Sequence, residues 1–203
     1  MDKERVKALY EDYSSRIGDR KALYKKVIEE FKVSSVLYPG SHIDIAPSFS
    51  VLNVTYVDNF KGAIRFFKDI DAVNMYIDEQ KDYKEKSEAR FIGENYHDEL
   101  HIEPVDLIIS QYGGFVGQAT KSYLKKGGIL LCNDSHGDAT LAYCDEDYAF
   151  IGIVDSQNQI SRTNLDYYFK LPKEKAIDSD IVKNKMKGLK YKKTANNYLF
   201  EKK

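Results

Sequence analysis

A histidine set between two carboxylates is the arrangement in this chain best suited to moving a proton. In Asp134-Ser135-His136-Gly137-Asp138 the imidazole lies two residues from an acid on either side. Two neighbouring carboxylates would raise its pKa and let it serve as a general base. The plainer reading is a polar loop in which Asp138 caps a helix. A second arrangement suits binding. Gly40 follows the apolar run Val33 to Tyr38, and Asp58 closes the run Asn53 to Val57. A glycine turn after one strand lets backbone amides approach a ligand, and an acid after the next strand accepts hydrogen bonds from ribose hydroxyls. A third candidate is weaker. In His97-Asp98-Glu99-Leu100-His101 the glutamate stands one residue too late for the zinc-protease pair, and Pro104 leaves little room for a helix, so a surface loop without metal is expected.

These residues need elements to hold them. Val6, Tyr10, Tyr13 and Ile17 recur by threes and fours, as do Leu23, Val27, Ile28 and Phe31, predicting two helices within residues 1 to 31. Gly18 separates them and Asp19 suits the second N-cap. Helices are also predicted over Lys61 to Asp69, Ala72 to Lys86, Phe115 to Leu124, Ala139 to Tyr143 and Ile181 to Met186. Lys125-Lys126-Gly127-Gly128 would cap the Phe115 helix through glycine at positive φ. Strands are predicted at both runs around Gly40, at Ala89 to Gly93, Val105 to Ser110, Ile129 to Asn133, Tyr148 to Val154 and Tyr198 to Phe200. A short insert is expected around Asp166 to Phe169. Strands alternating with helices give a doubly wound, mostly parallel sheet of about seven strands, in a single domain over residues 1–203. In that architecture the carboxyl ends of the fourth and fifth strands face the cleft, which singles out Ser110, Gln111, Tyr112, Asp134 and His136.

Composition excludes several classes. With 42% hydrophobic and 31% charged residues the chain is an ordinary globular protein rather than a disordered one. No apolar run approaches the ~20 residues of a membrane span, and the charged start Met1-Asp2-Lys3-Glu4-Arg5 is unlike a signal peptide. Cys132 and Cys144 cannot build a disulfide framework, so a reducing cytoplasm is the default expectation. A net charge of −1 offers no global attraction to nucleic acid. Acids and bases alternate along Asp78 to Arg90, which reads as a solvated helix face. The lysines 183, 185, 187, 190, 192 and 193 read as a solvated helix and loop. Sixteen tyrosines and no tryptophan form a bias with no evident cause in the sequence alone.

Several blocks in order resemble a class I S-adenosylmethionine-dependent methyltransferase. They are Val36-Leu37-Tyr38-Pro39-Gly40-Ser41, Tyr56-Val57-Asp58, Asp106-Leu107-Ile108-Ile109-Ser110, Tyr123-Leu124-Lys125-Lys126-Gly127-Gly128-Ile129-Leu130 and Tyr198-Leu199-Phe200-Glu201-Lys202. The runs through Asp44-Ile45-Ala46-Pro47-Ser48-Phe49 and Ser135-His136-Gly137-Asp138-Ala139 are similar to a bacterial methyltransferase-like subgroup with no established reaction. The resemblance implies a Rossmann-like sheet with an antiparallel last strand, S-adenosylmethionine as cofactor and methyl transfer to a small molecule. It implies cofactor contacts at Gly40, Ser41, Asp58, Asn59, Glu94 and Ser110, with Asp134, His136 and Tyr112 as the catalytic group. The family's first motif runs acid-x-Gly-x-Gly-x-Gly. Here Tyr38 stands at the acid and His42 and Asp44 at two glycines, so Asp44 is the carboxylate offered in place of the missing one. Ser110-Gln111-Tyr112-Gly113 lacks the Asn/Asp-Pro-Pro-aromatic pattern of amide and adenine methylation. The altered first motif supports an alternative: a non-enzymatic member binding a nucleotide-like ligand or a protein partner. A nicotinamide oxidoreductase is disfavoured, since Gly-x-Gly-x-x-Gly is missing.

Overall fold

The computed structural model describes residues 1–173 and 175–203. The chain divides into two compact units, Met1–Leu100 and His101–Lys203, taken in turn.

In the first unit two helices precede the strands. Helix α1 (Lys3–Ile17) starts where Asp2 accepts the Arg5 N–H at 2.9 Å and stops at Gly18, whose φ is +86°. Helix α2 (Lys21–Phe31) buries Leu23, Tyr24, Val27 and Ile28, the stripe its spacing predicts with Tyr24 added. Its N-cap is Arg20, one residue beyond the expected Asp19, whose carboxylate instead accepts the Lys21 N–H at 2.8 Å. Strands β1 (Ser35–Pro39), β2 (Asn53–Val57) and β3 (Arg90–Ile92) are parallel, with β2 central. Helices α3 (Lys61–Phe67) and α4 (Ile70–Gln80) connect β2 to β3. The helix expected to reach Lys86 ends six residues early. Residues 81 to 89 offer no apolar stripe, and Asp78 bonds the Ser87 N–H at 2.8 Å, folding that segment back.

The tyrosine bias acquires a reason here. Tyr24, Tyr38, Tyr56 and Tyr76 are fully buried, supplying large apolar surface with a polar tip that needs a partner. Tyr24 and Tyr38 donate to Asp44, while Tyr56 pairs with Ser48 Oγ at 2.6 Å.

Among the described residues the second unit has five strands. Strand β4 (Val105–Ser110) pairs parallel with β5 (Leu124–Cys132). Strand β8 (Asn197–Lys202) lies antiparallel between β5 and β6 (Tyr148–Val154), and the two-residue β7 (Ile160–Ser161) hairpins onto β6. The antiparallel last strand is as expected, and β7 brings the total to eight among the described residues. The helix expected over Phe115 to Leu124 is only α5 (Val116–Ala119), followed by a 3-10 turn at Lys121–Tyr123. Thr120 Oγ1 bonds back to Val116 O at 2.8 Å, an alternative to helix propagation. Consequently Lys125 to Gly128 form an irregularity inside β5 rather than a helix cap, with the pairing register shifting between Val105 and Leu107. Gly127 keeps the expected positive φ of +76°. Helices α6 (Asp138–Cys144) and α7 (Ser179–Lys185) complete the unit.

Candidate functional site

At the carboxyl end of β1 the chain turns through Gly40, φ +63°, and its N–H reaches across to Val57 O at 2.8 Å. The turn is therefore tied to β2 before any side chain is considered. Asp58 ties it again. One carboxylate oxygen accepts the His42 N–H at 2.8 Å and the other the Phe60 N–H at 2.7 Å. Each oxygen retains a second lone pair, so the carboxylate can still accept from a ligand. Asn59 and Glu94 are exposed, the latter just past β3, and Ser41 is buried.

Asp44 has a different place from the one its spacing offered. It is 2% exposed, and it accepts from Arg20 Nη1 at 3.1 Å, Tyr24 Oη at 2.9 Å, Tyr38 Oη at 3.1 Å and Ala46 N at 3.3 Å. Burial raises its pKa, and Arg20 with the two hydroxyls opposes the rise. Tyr38, standing at the family's acid, faces this internal ion pair. Asp44 is thus held inside the fold by these four donors.

In the sequence His42 stands where the first motif has a glycine. It keeps a glycine-like backbone, φ +50°, which costs a non-glycine residue energy. Its ring stacks between Tyr13, 4.9 Å away, and Phe60, 5.2 Å away. Among the described residues its Nδ1 is the buried side-chain nitrogen or oxygen without a hydrogen-bond partner, and burial lowers its pKa. The clue was its position: a motif glycine needing positive φ now carried a side chain.

In the second unit the carboxyl ends of β4 and β5 carry a polar chain. Gln111 Nε2 donates to Asn197 Oδ1 at 2.7 Å, and Asn133 Nδ2 donates to Gln111 Oε1 at 3.0 Å. Asn133 Oδ1 then accepts both the Ser135 N–H, at 3.0 Å, and the Ser135 hydroxyl, at 2.7 Å. The backbone donor requires an oxygen there, which orients every amide in the chain. With its proton committed to Asn133, Ser135 Oγ can only accept from His136 Nδ1, 3.1 Å away. Nδ1 therefore carries a proton, and in the neutral ring the lone pair falls to Nε2.

The two carboxylates expected beside His136 are engaged elsewhere. Asp134 accepts the Thr140 N–H at 2.7 Å and its hydroxyl at 2.8 Å, capping α6 in place of Asp138. Asp138 is 2% exposed and turns inward, accepting from Ser110 Oγ at 2.6 Å and Gly117 N at 2.9 Å. Burial pushes Asp134 up to about 6 and Asp138 to about 7. Ser110, a candidate cofactor contact, is thereby committed to Asp138. Tyr112 is 62% exposed with φ +60°, a conformation rare outside glycine. His97 and His101 lie in an irregular, exposed segment, and no cluster able to hold a metal occurs among the described residues.

Solved structures share this architecture. A methyltransferase from Geobacter sulfurreducens is 13% identical, with 73% of this chain and 83% of that one aligned at a TM-score of 0.50. The chain has the methyltransferase fold. N-methyltransferase NodS from Bradyrhizobium japonicum is 13% identical over 69% of this chain and 86% of its own, TM-score 0.47. The same enzyme in complex with S-adenosyl-L-homocysteine is 15% identical over 60% and 62%, TM-score 0.40. By sequence, the chain matches no protein-family model and no curated protein.

Proposed function

We propose that this protein binds S-adenosylmethionine at the β1–β2 turn and transfers its methyl group to a small molecule. The observation that carries the reading is Asp58: a carboxylate at the carboxyl end of β2, locked by the His42 and Phe60 amides beside the Gly40 turn. Two fixed oxygens with spare lone pairs suit a pair of ribose hydroxyls. The residues present fit the cofactor at this end. Gly40 and Ser41 would bring backbone amides to it, with Asn59 beside the ribose and Glu94 toward the adenine amino group. When bound, S-adenosylmethionine supplies an electrophilic methyl group. For acceptors that must lose a proton, His136 Nε2 is the candidate base, oriented by Ser135. Tyr112 is the candidate for positioning.

One observation favours a second reading, ligand binding without transfer. Arg20, Tyr24 and Tyr38 enclose Asp44, so the methionine amino group has no carboxylate of the family's kind.

Calorimetric titration with S-adenosylhomocysteine tests the first reading. Losing the hydrogen bonds to a charged group should cost ~1.5–3 kcal/mol, so Asp58→Ala should weaken binding by about ten- to a hundredfold. Absence of heat and of thermal stabilisation at millimolar ligand would reject cofactor binding. Binding without methyl transfer across acceptor panels would leave the second reading in its place.

A further inference from the structure

The first unit holds a cleft of about 310 Å³ whose walls come from α1, α3 and the turn bearing His42. Its apolar wall is Leu9, Ile43, Phe60 and Phe66, and Phe60 keeps 55% of its surface exposed. An exposed phenylalanine at a cleft mouth gives up stabilisation that covering it would recover. The rim carries three arginines, Arg5, Arg16 and Arg65, against one acid, Asp12. Arg16 pairs with Asp12, which neutralises that acid. Among the described residues the guanidinium groups of Arg5 and Arg65 have no ion-pair or hydrogen-bond partner. The back of the cleft is His42, with its positive φ, its stacked ring and its unpartnered Nδ1. Strained backbone and an unsatisfied buried nitrogen are both costs, set against the Asp58 hydrogen bond and the ring stacking that hold the residue in place.

We propose that this cleft binds a small aromatic anion: an aryl group carrying a phosphate or carboxylate. The ring would lie against Phe60 and Phe66, and the anionic group would be held by the planar forks of Arg5 and Arg65, which match both oxyanions. A neutral aromatic would gain the wall and lose the forks. A cation would meet the wrong charge. The volume, about 310 Å³, admits one ring with its substituent. That the ligand is the methyl acceptor rests on the proposed function; that it binds does not.

The test is calorimetric titration of the full chain with phenyl phosphate and with benzoate, with phenol as the neutral control. Phenyl phosphate or benzoate should bind with a Kd on the order of 1 mM or tighter, and phenol at least about tenfold more weakly. Arg5→Ala and Arg65→Ala, both exposed and remote from the core, should each weaken the anion about tenfold without moving the urea midpoint. Equal binding of phenol, or arginine variants that bind like wild type, would overturn the proposal. Repeating the titration in saturating S-adenosylhomocysteine separates the two readings. Retained anion affinity supports a site of its own. Mutual exclusion, with S-adenosylhomocysteine weakened equally by both arginine variants, would assign the cleft to the cofactor and overturn it. Heat with S-adenosylhomocysteine but with neither anion would overturn this proposal alone, and heat with an anion but none with S-adenosylhomocysteine would reject the proposed function alone.

Discussion

The Asp58 carboxylate accepts the backbone N–H of His42 at 2.8 Å, joining the acid after β2 to the turn after β1. The residue offered as a ligand contact therefore also shapes the site. Asp58→Ala should lower stability by about 1–3 kcal/mol, since two amides lose a charged acceptor. Asp58→Asn should fall between, because a single carbonyl oxygen remains. Urea midpoints of the three proteins check the order. Equal midpoints would mean that water replaces the carboxylate at no cost.

Arg20 and Asp44 make the test of the buried ion pair. With Asp44 2% and Arg20 16% exposed, Arg20→Ala strands a carboxylate away from water. Breaking a buried pair from one side costs ~3–5 kcal/mol. The two tyrosine hydroxyls remain, so the lower end is expected by denaturation. A change under about 1 kcal/mol would show the pair behaving as a surface bridge.

Asp138 gives a pH dependence whose sign is fixed. The unfolded carboxyl loses its proton near pH 4, while the folded one keeps it to about 7. Between those values the folded state binds more protons, so stability falls as pH rises and levels off above about 7. Three units correspond to at most about 4 kcal/mol. Asp138→Asn, which retains an acceptor for Ser110 and Gly117, should make the profile shallower, leaving the fall below about pH 6 that Asp134 contributes in the same direction, and be more stable than wild type at pH 8. A wild-type profile that rises across that range would contradict the burial argument.

His136 should be an Nδ1–H tautomer when neutral, read by nitrogen-15 spectroscopy of the ring. Ser135→Ala removes the acceptor, and Asn133→Ala releases the serine proton. Both should shift the population toward Nε2–H. An Nε2–H ring in the wild type would break the hydrogen-bond chain proposed to hold it.

Much of the scaffold was legible because strand signals are local. The runs ending at Tyr38, Val57, Ser110 and Asn133 each became a strand, and Tyr198 to Phe200 lies in the antiparallel strand β8. Gly40 and Asp58 were legible for the same reason, being set by where those strands stop. The fates of Asp44 and Asp138 were not. Their partners stand at Arg20, Ser110 and Gly117, 24, 28 and 21 residues away, and only packing brings them together. His136 shows the converse. Acids two residues away in sequence turn aside once Thr140 and Ser110 offer them better donors. The Arg5, Arg16 and Arg65 rim has no sequence signature, because surface arginines are common and only the folded cleft gathers these three.

The central place of β8 in the second unit carries a consequence for biosynthesis. Strand β5 is finished at Cys132, but its neighbour β8 is not finished until Lys202. At roughly 5–20 residues per second, several seconds separate the two during translation. Through that interval β5, and from Val154 onward β6 as well, presents an open edge, the kind of surface through which nascent chains associate. The first unit has no such wait, since its three strands are complete at Ile92. A ribosome stalled shortly before Asn197 would hold a chain whose second sheet is still split, a natural substrate for a chaperone that shields strand edges.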